Sequence, residues 1–199
     1  MRTILVSLFI ACCGSLSAQN WTLDALESEI YQYTTLEEAL EAHKDSVYSL
    51  KLKKRLKAVP PEVFTAFPNL MLLDLSKNRL KELPAELGLL KKLKKLILFK
   101  NRLESIPPQI GELEDLRELV VNQNELETLP DEIGKLKKLR YIDMWSNNLT
   151  HLPGSMAEMW ALEELDLRVI VLTEGEQEDI KILLPNAKVH MDQHCNCGN

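Results

Sequence analysis

The sequence predicts an α/β fold: a curved solenoid of short parallel strands with a helical cap at each end. Two observations lead to this prediction. Asparagines recur every 23 residues, at Asn78, Asn101, Asn124 and Asn147. Leucines keep the same spacing at positions 70, 93, 116, 139 and 162. Self-similarity at a short fixed period indicates one small structural unit stacked several times, and such a stack offers a broad binding surface rather than a closed pocket.

The first half of each unit has the pattern of a strand. Leu73 and Leu75 alternate with Asp74 and Ser76, which is the period of two that strands show. Because so short a strand is unstable alone, identical strands must stack in parallel to bury their leucines in one continuous core. The Leu-Pro-x-x-Ile-Gly half that follows is short and carries Pro and Gly, so it predicts an irregular return or one of one to two helical turns.

The recurring asparagine lies at the turn that follows the strand. Its amide has two donor hydrogens and an acceptor oxygen. At this turn the amide can bond to backbone groups of adjacent coils, which would otherwise be buried without partners. The pattern therefore predicts that asparagines join neighbouring coils.

The complete unit resembles a known repeat family. Its best copy runs Leu70-x-x-Leu73-x-Leu75-x-x-Asn78-x-Leu80 and then Leu83-Pro84-x-x-Leu87-Gly88. This pattern resembles the leucine-rich repeat family, in the 23-residue class with Leu-Pro-x-x-Ile-Gly found in Ras-pathway scaffold proteins and many bacterial repeat proteins. Four full copies and two imperfect ones cover residues 47–168. The resemblance implies a curved solenoid that has its strands on the concave face and binds partners there.

The segments on either side of the repeats predict caps over the exposed ends of the core. Residues 19–46 form the N-terminal cap, with a helix over about 35–42 that begins at Thr35. Residues 169–199 form the C-terminal cap and a cysteine-containing tail. Within them, Thr173 caps an amphipathic helix that continues to residue 184, and residues 188–191 form a last strand.

Residues 1–18 have the features of a secretory signal. Arg2 precedes a short apolar core at residues 4–11, and small residues at 15–18 suit cleavage before Gln19. We therefore expect a secreted, periplasmic or cell-envelope protein. Two alternatives are a lipid anchor at Cys12, which would attach the chain to a membrane, and retention of the segment, which would leave an intracellular signalling scaffold.

Charge and motifs argue against several functions. The net charge of −6 does not favour nucleic acid as a partner. The basic runs at residues 51–57 and 91–95 either form a local patch or are solvated faces of the solenoid. None of the histidines lies in a recognised catalytic or metalloprotease motif, and no glycine-rich phosphate loop is present. We expect no enzyme activity, no catalytic residues and no cofactor.

The last stretch of the chain leaves three interpretations open. Cys195 and Cys197 lie near His190 and His194, and these are the ligand types that zinc uses. The Cys-x-Cys spacing is tighter than that of usual structural sites, so a disulfide or a simple tail is an alternative. No metal ligand is therefore assigned.

The concave face holds the candidate binding site. Side chains between the core leucines point away from the core, and in the middle coils they include apolar and aromatic residues. A contiguous apolar patch on a surface often marks binding. The alternative is that these residues shield one another or face a terminal segment in the groove. The candidate ligand-binding residues are Lys95, Ile97, Phe99, Val120, Asn122, Tyr141, Asp143, Trp145 and Arg168.

These residues suggest two kinds of ligand. A protein or peptide partner, bound without turnover, suits the aromatic and arginine side chains that dominate binding hot spots. A cell-surface carbohydrate is the alternative, since Tyr141 and Trp145 can stack on sugar rings while Asp143 accepts hydroxyl hydrogen bonds. In that case the chain would act as an adhesion module.

Overall fold

The predicted solenoid is confirmed. The computed structural model describes residues 30–192, and eight parallel strands form a single sheet in chain order. Each central strand pairs with the residues 23 positions further on, as Leu96 does with Leu119. The strands are β1 (Gln32–Tyr33), β2 (Ser49–Lys51), β3 (Leu72–Asp74), β4 (Lys95–Ile97), β5 (Glu118–Val120), β6 (Tyr141–Asp143), β7 (Glu164–Asp166) and β8 (Lys188–His190).

The return segments are short helices, as the sequence predicts. Because Pro and Gly bracket so few residues, most of them close into 3-10 turns rather than long α-helices. The α-helices are α1 (Leu36–Glu41), α2 (Glu62–Thr65) and α3 (Glu174–Leu183). The 3-10 helices are Lys44–Ser46, Ala85–Leu89, Pro108–Glu112, Asp131–Lys135 and Gly154–Glu158.

One hydrophobic core lies between the sheet and the returns. The row of residues at the centre of the strands is buried completely, for example Leu96, Leu119 and Ile142 in successive strands. The core is continuous from Tyr33 to Leu184. Since each coil contributes only a few apolar side chains, its stability comes from contact with the coils on either side.

The asparagine side chains join consecutive coils. The amide of Asn101 donates to the carbonyl of Leu98 in its own coil (2.8 Å) and to that of Leu75 in the preceding coil (3.0 Å). Its Oδ1 accepts from the backbone N–H of Leu80, 3.2 Å away in the preceding coil. Asn78, Asn124 and Asn147 bond in the same way. The asparagines thus form a buried ladder in which every rung links a coil to the one before it.

The asparagine ladder ends at the last coil. Ile170 occupies the asparagine position there and is buried. The residue before it, Val169, adopts a φ of +58°, the left-handed conformation that Ser146 and Gln123 take one and two coils earlier. A β-branched side chain is strained in this region. The final turn of the array is therefore strained and has no asparagine.

Close packing of the returns requires glycine. A Cβ built on Gly111 would lie 2.4 Å from the carbonyl oxygen of Glu132, and one on Gly134 would lie 2.4 Å from that of Ser155. Carbon and oxygen atoms cannot approach so closely, and a backbone oxygen cannot rotate aside. Glycine therefore sets the spacing between successive returns on the side opposite the sheet.

Both predicted cap helices are confirmed. Thr35 accepts a hydrogen bond from the Glu38 N–H at the start of α1, and Thr173 forms a reciprocal capping box with Glu176 at the start of α3. The sequence did not predict strand β1. It pairs with β2 before residue 47, and β8 pairs with β7 after residue 168. The sheet therefore continues on both sides of the repeat segment.

Some sequence-based expectations concern other parts of the chain. The signal segment at residues 1–18, the anchoring alternative at Cys12, and the tail residues His194, Cys195 and Cys197 lie outside the described residues. Within residues 30–192, no helix has the length and apolar character needed to cross a bilayer.

Replacing a ladder asparagine should destabilise the fold. Asn124→Ala leaves three carbonyls and the N–H of Leu103 without their side-chain partners in a buried turn. We expect a loss of about 2–4 kcal/mol, since each unsatisfied buried group costs about 1–3 kcal/mol. Urea denaturation measures it. Asn148→Ala, at the neighbouring exposed asparagine of the next coil, is the control and should change stability little. Equal effects of both variants would contradict a structural ladder.

Adding a methyl group to a stacking glycine should also destabilise the protein. Gly134→Ala places a Cβ against the Ser155 carbonyl oxygen, whereas a Cβ on Gly154 has no atom within 4 Å. We expect Gly134→Ala to cost about 1–3 kcal/mol by overpacking and Gly154→Ala to be neutral or slightly stabilising. Thermal and urea unfolding of the two variants give the comparison. A neutral Gly134→Ala would show that the returns move apart without cost.

Candidate binding surface on the concave face

Three rows of side chains cross the sheet on the side away from the core. Parallel pairing aligns Lys95, Glu118 and Tyr141 in the first row and Ile97, Val120 and Asp143 in the second. The residue two positions after each strand forms the third row, which contains Phe99, Asn122 and Trp145. Neighbouring residues in a row are about 4.8 Å apart, the spacing of adjacent strands. The structure therefore brings the sequence-predicted residues of the middle coils into one surface.

The apolar members of this surface form what we call the central patch, and they are half-buried. Each of these side chains is intermediate in burial, so part of its surface is open to solvent. The ammonium group of Lys77 lies 5.5 Å from the centre of the Phe99 ring, a cation–π contact. Burial thus reduces the exposed apolar area but does not remove it. The central patch consists of Ile97, Phe99, Val120, Tyr141 and Trp145.

The first coils are covered on this side of the sheet. Ser49, Leu72, Asp74 and Ser76 occupy outward positions of the same rows, but the structure buries them. Gln32 of β1 donates to the Ser49 hydroxyl at 3.2 Å, so the unpredicted first strand contributes to this cover. Among the described residues of these three rows, the partly exposed apolar side chains therefore belong to the middle coils.

Lys95 and Arg168 lie in ion pairs. Lys95 pairs with Glu118 on the next strand, with 2.6 Å between Nζ and Oε2. Arg168 forks onto Asp166 of its own coil, with 2.6 Å between its Nη2 and Oδ2. Similarly, Lys51 lies 2.9 Å from Asp74. The charged side chains beside the central patch are thus largely neutralised by local ion pairs.

Asn122 and Asp143 form a buried polar pair beside Trp145. The Asn122 amide donates to the Asp143 carboxylate, which also accepts the Trp145 backbone N–H at 3.4 Å. Both side chains are buried. They fix the start of the turn that carries Trp145, so we regard them as positioning residues for the aromatic side chain as much as contacts for a ligand.

Asp143 and Asp74 occupy the same strand position but differ in pKa. Burial raises the pKa of Asp143, and the hydrogen bond from Asn122 only partly offsets it. Burial also opposes ionisation of Asp74, but hydrogen bonding from Ser76 and the Lys51 ammonium outweigh it and lower the pKa. Burial, followed by the negative charges of Asp143 and Asp166, raises the pKa of Tyr141. Hydrogen bonding from Ser76 and Lys51 thus outweighs burial at Asp74, whereas burial outweighs the hydrogen bonds at Asp143.

His190 contacts an acid of the sheet. Its Nε2 lies 2.6 Å from Oε1 of Glu164 on β7. Among residues 30–192 no cluster of histidine, cysteine and acidic side chains has the geometry of a metal site. The zinc interpretation of the tail also depends on His194, Cys195 and Cys197, outside the described residues.

These observations define a class of protein: a repeat solenoid whose sheet presents a half-exposed apolar surface to solvent. The family follows from the sequence. A model described as "Leucine-rich repeat region" matches residues 62–184, which is more than half of the 199-residue chain. The chain therefore belongs to the leucine-rich repeat family, whose fold is that of a protein–protein interaction module.

A solved structure shows the same architecture. The chain is similar to internalin C2 of Listeria monocytogenes, with 18% identity, a TM-score of 0.63, and coverage of 81% of this chain and 67% of that one. It is also similar to a leucine-rich repeat protein of Leptospira interrogans, with 25% identity, a TM-score of 0.45, and coverage of 79% and 52%. The chain thus spans about half the length of the Leptospira protein. No curated protein matches it in sequence.

Asp143 and Asp74 should affect the stability of the fold with opposite dependences on pH. The raised pKa of Asp143 contributes stability that is present at low pH and lost as pH rises through the folded-state pKa. The lowered pKa of Asp74 contributes stability that is present above the ordinary aspartate value and lost as pH falls. As pH falls from 7 to 3, wild type should gain stability relative to Asp143→Asn and lose it relative to Asp74→Asn.

Urea denaturation of the three proteins at pH values across this range tests the prediction. Each asparagine replacement also alters hydrogen bonding, which shifts the free energy of unfolding by an amount that varies little with pH. The variants are therefore compared by the slope of the free energy of unfolding against pH. Parallel slopes for the two variants would show that Asp143 and Asp74 share one environment.

Proposed function

We propose that this protein binds a protein or peptide partner on its concave face, through the central patch, without chemical turnover. The observation that supports the proposal is the composition of the three rows in the middle coils. Phe99 and Trp145 are two coils apart in one row, and Ile97 and Val120 lie beside each other in the next. Contiguous apolar surface with aromatic members is uncommon on a soluble protein and often marks an interaction site.

The physical basis of binding would be removal of this half-exposed surface from water. The surrounding charges already have partners, as the Lys95–Glu118 and Arg168–Asp166 pairs show. They therefore form a polar rim around an apolar centre, which is the usual anatomy of a protein interface. Asn122 and Asp143 hold the turn under Trp145, so the aromatic side chain is positioned before a partner arrives.

The proposal includes export from the cytoplasm. Residues 1–18 have the charged start, apolar core and small residues of a secretory signal. We accordingly propose that the partner is met in the cell envelope or outside the cell. Detection of a mature N-terminus at Gln19 by mass spectrometry would support this, whereas a retained Met1 would favour the intracellular scaffold.

Loss of the two largest aromatics of the patch should abolish partner binding while leaving the fold intact. The full chain is used as bait in cell-envelope and culture extracts, and a retained partner is then purified for calorimetry. We expect Phe99→Ala/Trp145→Ala to weaken binding by about 30-fold or more, since hot-spot truncations cost about 2 kcal/mol or more. Thermal unfolding of the variant checks that it remains cooperative.

The matched control removes apolar side chains elsewhere. Leu89 and Ile182 are exposed large hydrophobics away from the concave rows, and Leu89→Ala/Ile182→Ala should bind like wild type. Equal retention by all three baits would place the binding site outside the central patch. Loss of cooperative unfolding in Phe99→Ala/Trp145→Ala would instead assign those side chains a structural role.

Carbohydrate is the second candidate ligand because of the side chains on and after β6. Tyr141 and Trp145 flank Asp143 along one edge of the patch, where rings can stack on a sugar and the carboxylate accepts hydroxyl hydrogen bonds. Saturable binding to a glycan array, lost in Trp145→Ala, together with no retained protein, would replace the protein partner by a cell-surface glycan.

A further inference from the structure

We propose a second binding site, for an acidic peptide segment of a partner protein, in a basic cleft at the amino ends of strands β5–β8. It is an open cleft of about 490 Å³ formed by the turns that lead into these strands. We call it the Trp160 cleft. Its lining residues used below are Arg117, Lys137, Lys138, Arg140, Trp160 and Glu163.

The repeat brings these side chains together. Arg117 and Arg140 immediately precede β5 and β6, and they are 23 residues apart. Lys137 and Trp160 likewise occupy one position in successive coils. Basic groups from two coils therefore converge on one indole, at an edge of the solenoid distinct from the rows of the central patch.

Three of the four cations already bind carboxylates of this chain. Lys137 lies 2.7 Å from Glu158, Lys138 lies 2.6 Å from Asp115, and Arg140 lies 2.6 Å from Glu163. These pairs are solvent-exposed, and exposed ion pairs stabilise a folded protein only weakly. A peptide carboxylate can therefore replace an internal one at small cost, with the cations already in a geometry that accepts it.

Arg117 has an unmatched guanidinium. Within the part of the chain that the structure describes, this group forms no hydrogen bond or ion pair of its own. Its charge acts on Lys94: burial lowers the pKa of Lys94, and Arg117 lowers it further. Positive potential thus remains at this end of the cleft. A guanidinium binds a carboxylate through two parallel hydrogen bonds, which makes Arg117 the expected anchor.

Trp160 supplies an apolar contact beside the cations. Its side chain is 74% exposed, unlike the half-buried aromatics of the central patch. Exposing so large an apolar side chain forgoes the stabilisation that burial would give. Trp and Arg are also the side chains most often found at interface hot spots. An indole next to several cations fits a segment in which an apolar residue is flanked by Asp or Glu.

The charge balance favours an acidic partner over a basic or neutral one. Four lining residues are basic and one, Glu163, is acidic; with the ion-pair partners Glu158 and Asp115 included, one positive charge remains. This is opposite in sign to the whole chain, whose net charge is −6. Electrostatic complementarity would thus guide an acidic segment to this cleft against the overall repulsion of the protein.

The test uses a fluorescein-labelled synthetic peptide, Glu-Asp-Leu-Glu-Asp, with Gln-Asn-Leu-Gln-Asn as the uncharged probe. Fluorescence anisotropy is measured with the full chain at low and at physiological salt. We expect saturable binding of the acidic peptide alone, weakened by salt. Trp160→Ala and Arg117→Gln should each weaken it about 10-fold, corresponding to 1.4 kcal/mol. Both side chains lie at the surface, and thermal unfolding confirms that the variants fold.

Control variants remove similar groups elsewhere. Leu89→Ala deletes another exposed apolar side chain, and Lys181→Gln deletes an exposed cation of α3; neither should change the affinity. Phe99→Ala/Trp145→Ala should also bind the acidic peptide normally, so failure of this site and failure of the concave-face proposal are distinguishable. Equal affinity for the two peptides, no saturable binding, or unchanged binding by both cleft variants would overturn the proposal. Binding of a sulfated oligosaccharide in place of the peptide would overturn it in favour of an anionic glycan.

Discussion

The interaction on which the rest of the structure depends is the hydrogen bonding of asparagine amides to backbone groups of two coils. A chain that turns every few residues inside its own core must satisfy the carbonyls and N–H groups that no strand partner reaches. Asn101 does this for its own coil and for the preceding one at once. The fixed distance between these groups sets the spacing of the coils, and glycines such as Gly134 permit the same close approach on the opposite side.

Much of the fold could be predicted because the period of the sequence equals the period of the structure. The spacing of Leu96, Leu119 and Ile142 already gives the sheet register, so parallel order and core follow together. Thr173 and the acids after it similarly determine where α3 begins. Strand β1 could not be predicted, since two residues carry no period and their pairing depends on contact with β2.

The candidate surface was less predictable than the fold. A strand pattern states which side a residue faces, but burial on that side depends on what else covers it, as Leu72 and Asp74 show. Ion pairs such as Lys95–Glu118 could nevertheless be predicted from the repeat, because residues 23 positions apart lie side by side on adjacent strands. The same 23-residue spacing places Lys137 beside Trp160, at an edge of the solenoid outside the concave rows.

The hydrogen-bonded joint between coils uses the backbone and the ladder asparagine, while glycine permits close packing on the opposite side, and this has an evolutionary consequence. Outward positions of the sheet take no part in the asparagine ladder, so they can change from Lys95 to Tyr141 without altering it. Duplication or loss of a single 23-residue unit likewise preserves every remaining joint. Each duplication would lengthen the recognition surface by about 4.8 Å. Such a chain can acquire new ligands by duplication of repeats and substitution of their outward residues, while the hydrogen bonds between coils stay the same.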